Sequence, residues 1–266
     1  MKILKIRPKI DNPSRYNYQI MYSVWEEIKG DLVILEEFDK NLDNYDVVFL
    51  PYYKRWEQHY DLLRKIKEHK IKKVLFDDDC YNRSFTISFY DNIDFIFYRM
   101  EDINKLPPLN LSKRWKWSIN TDLYTPIYGG SGVAFNCGIG YLYKDRIEAA
   151  KYIKNTTYTG SEYIKLLQNS AAAVHIDSHL VKAVQGKIIE FAACGTQIIS
   201  NRTNNINDYF PDDLIIYFDS FPELKYIYNN FIPNIDKQKK LREICDEKHS
   251  NKIRAKEIIT TLEKNL

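Results

Sequence analysis

Short, nearly unbroken apolar runs separated by amphipathic stretches constrain this chain more than any other feature. Ile3–Ile6, Leu32–Leu35, Val47–Leu50, Val74–Phe76 and Phe95–Tyr98 are too short for buried helices, and they lack the polar alternation of a strand with one wet face. They are expected to be strands covered on both sides. Between them, Tyr22–Ile28 and Leu62–Ile66 carry helical spacing. Strand and helix taking turns is the pattern of a parallel sheet with helices on its faces, so residues 1–126 are expected to form a Rossmann-like lobe.

The passage from Leu106-Pro107-Pro108 to Tyr124-Thr125-Pro126 follows neither period and leads into Gly129-Gly130-Ser131-Gly132, which reads as a joint. The alternation then restarts. Strands are expected at Val133–Phe135, Ala173–Ile176, Gln197–Ser200 and Leu214–Phe218. Helices are expected at Arg146–Ile153, Ser161–Gln168, Lys187–Cys194 and Glu223–Tyr228, with Gly195 as a helix stop. Residues 127–266 thus read as a second Rossmann-like lobe. Its tail from Lys237 forms one or two helices, which could return to the first lobe.

At 266 residues with 44% hydrophobic and 28% charged positions, the chain has enough material for two packed cores. A net charge of +3 permits a polyanionic partner without requiring one. The cysteines, Cys80, Cys137, Cys194 and Cys245, form no CxxC pair, which argues against a zinc ribbon or a disulfide framework and fits a reducing cytoplasm. No export signal and no apolar run long enough to span a bilayer is read. The abundance of Lys, Ile, Asn and Tyr points to an AT-rich genome, that of a low-GC bacterium or a phage.

The chemistry concentrates in Val181–Gly195. Gly186 is read as permitting a tight entry into a helix whose first amides lack internal partners and suit a phosphate. Lys187 adds a positive charge where the helix dipole disfavours it, a conflict that a diphosphate would remove. Glu190, one turn further on, can accept both hydroxyls of a ribose. Ala192-Ala193-Cys194-Gly195 lets the helix lie close to the sheet.

This segment resembles the donor-site signature of GT-B glycosyltransferases, especially the branch related to spore-maturation glycosyltransferases: a basic residue, a glutamate three on, an Ala-Cys-Gly run and a strand. Trp117–Pro126 resembles the interlobe passage of that branch. Val133–Gly138 with Lys144-Asp145-Arg146 resembles the first strand, glycine turn and basic residue of the second lobe, and Asp208-Tyr209-Phe210 with Glu223-Leu224 its closing part. The resemblance implies two Rossmann-like lobes with parallel sheets facing across a cleft. It also implies transfer of a sugar from a nucleoside diphosphate, most simply a UDP-sugar, to an acceptor hydroxyl, with no obligatory cofactor. On that reading Glu190 binds ribose, Lys187 and Arg146 lie at the diphosphate, and Gly138 belongs to the donor turn. Many retaining relatives carry two glutamates eight positions apart; the second falls on Glu190, but the first falls on Lys182. As a cleft carboxylate Glu190 is expected to face solvent, so its replacement should weaken donor affinity with little loss of folding.

Asp77-Asp78-Asp79 follows a strand, where crowded carboxylates can raise one another's pKa, so Asp78 or Asp79 is a candidate general base toward the acceptor. Asp77 and Asp79 also have the Asp-x-Asp spacing with which a GT-A transferase holds a divalent metal. His175, Asp177 and His179 would share one face of a strand, a pattern open to metal binding, though His179 is preferred beside the donor. His59 is a further candidate base. Arg55 and Trp56, in Tyr52–Trp56, are candidate acceptor contacts. With Lys113–Trp117 they mix cations and aromatic planes, which leaves open a DNA acceptor such as hydroxymethylated phage bases. A non-catalytic nucleotide- or nucleic-acid-binding module is the remaining alternative.

Overall fold

The computed structural model describes residues 1–9, 22–51, 60–77, 92–98, 112–138, 143–177, 186–203 and 205–266. The chain divides into two compact units. The first gathers the described residues of 1–11, 25–116 and 255–266, the second those of 12–24 and 117–254.

In chain order the first part contains β1 (Ile3–Arg7), α1 (Ser23–Glu26), β2 (Asp31–Ile34), β3 (Val47–Pro51), α2 (Tyr60–Glu68), β4 (Lys72–Asp77), β5 (Phe95–Tyr98) and β6 (Ser112–Arg114). All six strands are parallel, in the order β2-β1-β3-β4-β5-β6. The pleat sends alternate residues into different cores. Val48, Leu50, Leu75 and Ile96 join Leu63 and Ile66 of α2 in an aliphatic layer. On the other face, Phe49, Phe76 and Phe97 pack with Trp25 and Trp115, Phe76 lying 5.0 Å from Phe49, 5.1 Å from Phe97 and 5.2 Å from Trp115 between ring centroids. All five apolar runs form strands, and four of them are covered on both faces; the fifth becomes the edge strand β2, where Leu32 is 38% exposed. Strand β6, Ser-Lys-Arg, carries no apolar run and was not visible in the pattern.

Lys5 lies within β1 and is only 3% exposed, yet it breaks no rule, because its Nζ donates to the carbonyls of Trp25 at 2.9 Å and Ile28 at 2.5 Å. It caps carbonyls at and just past the end of the short α1, where the Trp25 carbonyl also accepts from the Ile28 amide at 3.2 Å. Burial lowers its pKa.

The second part contains β7 (Val133–Ala134), α3 (Lys144–Ala149), α4 (Gly160–Asn169), β8 (Ala172–His175), α5 (Lys187–Ala193), β9 (Gln197–Ser200), β10 (Ile215–Tyr217), α6 (Phe221–Asn230), α7 (Ile235–Ile244) and α8 (Asn251–Asn265). Its sheet is again parallel, ordered β10-β9-β8-β7. Ala134, Ala173 and Ile198 face α4, α5 and α7, while Phe135, Val174 and Ile199 face α3 and α6. Two separate parallel sheets are the GT-B arrangement and speak against the GT-A alternative read from the Asp-x-Asp spacing of Asp77 and Asp79.

Helix α5 ends as its sequence predicts. Gly195 has φ +70°, and a Cβ there would lie 2.8 Å from the Tyr128 ring. Arg242 of α7 then closes the helix end, donating to the Ala193 carbonyl at 2.6 Å and the Tyr124 carbonyl at 2.5 Å. Gly195→Ala combines a left-handed backbone with a clash. It should destabilise the fold by about 2 kcal/mol, read as a lower urea midpoint. An unchanged midpoint would show that the turn relaxes freely.

Candidate functional site

The second sheet brings polar groups together where its strands end. Past β7, the Asn136 side chain accepts from Thr156 Oγ1 and from the Tyr158 amide, each at 2.8 Å. Asn155 pairs with the Cys137 backbone in both directions, at 3.1 and 3.2 Å. This double anchorage fixes the turn after β7 and leaves the Asn136 carbonyl for another donor. Lys187, the first residue of α5, takes it, with Nζ 2.6 Å from the oxygen and 5.7 Å from the Tyr163 ring centroid. Desolvation lowers the Lys187 pKa, while the Glu190 charge opposes that shift.

Glu190 overturns one expectation. It does not face solvent: it is 0% exposed, with Tyr124 donating to Oε1 at 3.1 Å and Tyr163 to Oε2 at 3.0 Å. Helix α5 turns this residue toward Tyr163 of α4 and Tyr124 of the passage before β7. Burial pushes its pKa up to about 7, against the lowering effects of Lys187 and the two tyrosine hydrogen bonds. Gly186 departs from its reading as well. Its φ of −55° and ψ of −19° are right-handed helical values that any residue adopts, so it is not needed there for its backbone freedom.

Arg146 in α3 is also buried. Its Nε donates to the Ile176 carbonyl at 3.0 Å, and its guanidinium lies 4.1 Å from the Tyr143 ring centroid. Its charge acts on Asp177, on Lys187 and on Cys137, which places it between the ends of β7 and β8. His175 and Asp177 do share a face, joined by a 2.8 Å bond from Nε2 to Oδ1, and the Asp177 amide donates to Asn201 past β9 at 3.2 Å. Gly138 is exposed in the turn after β7, with open space where a Cβ would stand.

The geometry therefore gathers Lys187, Glu190, Arg146 and the turn leading to Gly138 around one end of one sheet. Asp78, Asp79, His179, His59, Arg55, Trp56 and Lys182 lie outside the described residues. Asp77 is the last residue of β4 and is buried. The cation-aromatic run at Lys113–Trp117 proves to be packing. Trp115 and Trp117 are 3% and 8% exposed, and Lys113 donates to Thr261 at 2.9 Å, so these rings offer no stacking surface. Sequence reasoning missed Tyr124, Tyr163, Asn136 and Asn201, whose relation to Lys187, Glu190 and Asp177 exists only in three dimensions.

A family model described as Glycosyl transferase-like matches residues 122–260, just over half of the chain and the whole of the site. The chain belongs to the Glycosyl transferase-like family. No protein with a curated description matches the sequence. Among solved structures, the chain is similar to a glycosyltransferase from Rickettsia africae at 11% identity, with a TM-score of 0.65 over 99% of this chain and 98% of that one. It is similar to Anabaena Alr3699/HepE in complex with UDP-glucose at 10% identity, with a TM-score of 0.64 over 99% and 100%. It is also similar to a DNA-modifying β-glucosyltransferase at 12% identity, with a TM-score of 0.62 over 98% and 99%. The fold is GT-B and the protein is a glycosyltransferase. Among the described residues no helix is long and apolar enough to cross a membrane.

The buried carboxyl of Glu190 generates a pH prediction. Between its unfolded value near 4.5 and its folded value near 7, the folded chain binds more protons than the unfolded one, so stability falls as pH rises through that window. Glu190→Gln removes the titration. Compared with wild type and without nucleotide, the variant should gain on the order of 2 kcal/mol between pH 5 and pH 8 in urea unfolding. A stability difference that stays constant with pH would show that the carboxyl is not desolvated.

Proposed function

We propose that the chain transfers a hexosyl group from a UDP-sugar, with the donor held by the second unit and the acceptor served by the first. The observation that carries this reading is the meeting of Lys187 and Arg146 at the carboxyl ends of β7 and β8, within the segment matched by the family. Ligands of parallel sheets bind outside the carboxyl ends of the strands. Two cations there meet a diphosphate's need as negative charge develops on the leaving group. Lys187 is well suited to this: desolvation disfavours its charge, and an arriving diphosphate restores it.

Glu190 is the proposed ribose contact. Each of its oxygens already accepts one tyrosine hydroxyl and retains a second lone-pair direction. On this reading the ribose hydroxyls donate to those remaining lone pairs while the tyrosines stay in place. Gly138 would line the donor turn, and His179 would lie beside the donor. Asp78 or Asp79, next in sequence to the end of β4, is the proposed base if the reaction inverts configuration, with Arg55 and Trp56 on the acceptor side. Similarity to UDP- and UDP-glucose-bound structures and to a DNA glucosyltransferase supports a UDP-hexose donor. The buried Trp115 and Trp117 weigh against a DNA acceptor read from that run. The buried thiols Cys137, Cys194 and Cys245 are free, which supports a cytoplasmic setting.

The test is release of nucleoside diphosphate from a panel of nucleotide sugars, with calorimetry of UDP. Wild type should bind UDP and release it from one of the UDP-hexoses. Lys187→Ala should weaken UDP binding by roughly 10- to 150-fold, since a hydrogen bond to a charged group contributes about 1.5–3 kcal/mol. Unchanged UDP affinity in that variant would remove Lys187 from the donor site.

A further inference from the structure

We propose that Asp177, held by His175, is the carboxylate that accepts a sugar-ring hydroxyl of the donor. The proposal rests on the donor reading above and adds to it a residue that reads hydroxyls and leaves phosphate to others.

The carboxylate is two residues beyond β8 and 3% exposed. One oxygen, Oδ1, accepts from His175 Nε2 at 2.8 Å. Among the described residues the other, Oδ2, is buried and has no hydrogen-bond partner. Buried polar atoms are nearly always satisfied, so an orphaned carboxylate oxygen at a sheet's binding edge marks a place prepared for a donor. The backbone here is held rigidly enough to present it. The Asp177 amide is fixed on Asn201 Oδ1 at 3.2 Å, the neighbouring Ile176 carbonyl takes Arg146 Nε at 3.0 Å, and His175 pairs in register with Ser200 of β9. Burial raises the Asp177 pKa, while His175 and Arg146 favour its charged form.

The chemistry of the donor set selects the ligand. A phosphate oxygen accepts hydrogen bonds and is repelled by a carboxylate, so it cannot satisfy Oδ2. A metal cation is opposed by the Arg146 charge that Asp177 already feels. A hydroxyl is neutral and donates, and it can lie beside a guanidinium without conflict. A nucleotide sugar carries hydroxyls on two rings flanking the diphosphate. With the diphosphate against Lys187 and Arg146, one of those rings falls within reach of Asp177.

The experiment compares wild type with Asp177→Asn, which preserves shape but removes the anionic acceptor. The probes are UDP, inorganic pyrophosphate, and whichever of UDP-glucose, UDP-galactose and UDP-N-acetylglucosamine wild type binds most tightly. The expected result is a loss of tenfold or more in affinity for the UDP-sugar, with pyrophosphate weakened by less than threefold. If UDP weakens equally, the hydroxyl belongs to ribose; if UDP is unchanged, it belongs to the transferred hexose. An unchanged UDP-sugar affinity, or pyrophosphate weakened as much as the UDP-sugar, overturns the proposal. Should Asp177→Asn fail to unfold cooperatively, Asp177→Glu carries the same test, since it keeps the charge but displaces the oxygen. Failure of wild type to bind any of the uridine nucleotides would instead sink the donor reading itself.

Discussion

A parallel sheet covered on both faces leaves its strand ends as the place where polar side chains can do chemistry. In the second unit that constraint is severe. Alanines and isoleucines fill both faces of β8 and β9, and α5 lies so close to the sheet that Ile188, Ile189, Ala192, Ala193 and Cys194 are all 0% exposed. A lysine and a glutamate on this seven-residue helix therefore cannot be ordinary surface groups. Each must find a partner in the interior. The Asn136 carbonyl and the Tyr124 and Tyr163 hydroxyls are those partners.

The arrangement keeps charge under tension. Desolvation disfavours both the ammonium of Lys187 and the carboxylate of Glu190, and each opposes that effect in the other. Neither charge is as comfortable as it would be in water, and neither is paired as fully as a buried ion pair requires. On the donor reading proposed above, a diphosphate near Lys187 would relieve the ammonium's half of that tension.

The sequence carried the architecture because the fold depends on patterns that are local. Doubly buried strands read as unbroken apolar runs, and every one of the nine expected strands lies within two residues of its place. Gly195 was legible because a helix stop calls for a left-handed residue. Strand β6 escaped because Ser112-Lys113-Arg114 pairs through its backbone, and nothing in its side chains announces a strand. The burial of Glu190 escaped for a different reason. Its cover comes from Tyr124, 66 positions away, and Tyr163, 27 positions away, and no local pattern encodes such distances. The same limit left the reading of Trp115 and Trp117 open: cations interleaved with aromatics look alike whether the rings stack on a ligand or fill a core.

His175 and Asp177 show where alternation is informative and where it stops. Period two correctly placed both side chains on one side, and together with His179 the spacing left metal binding open. The structure adds what period two cannot, that the pair is turned inward, bonded to itself and next to a guanidinium. A cation is then the least favourable occupant. With ammonium and guanidinium on one side and a carboxylate on the other, the edge has a polarity of its own. An elongated ligand with an anionic middle and hydroxyl-bearing ends can match that polarity in few orientations. Electrostatic order along the edge would therefore align the donor before shape complementarity selects its sugar.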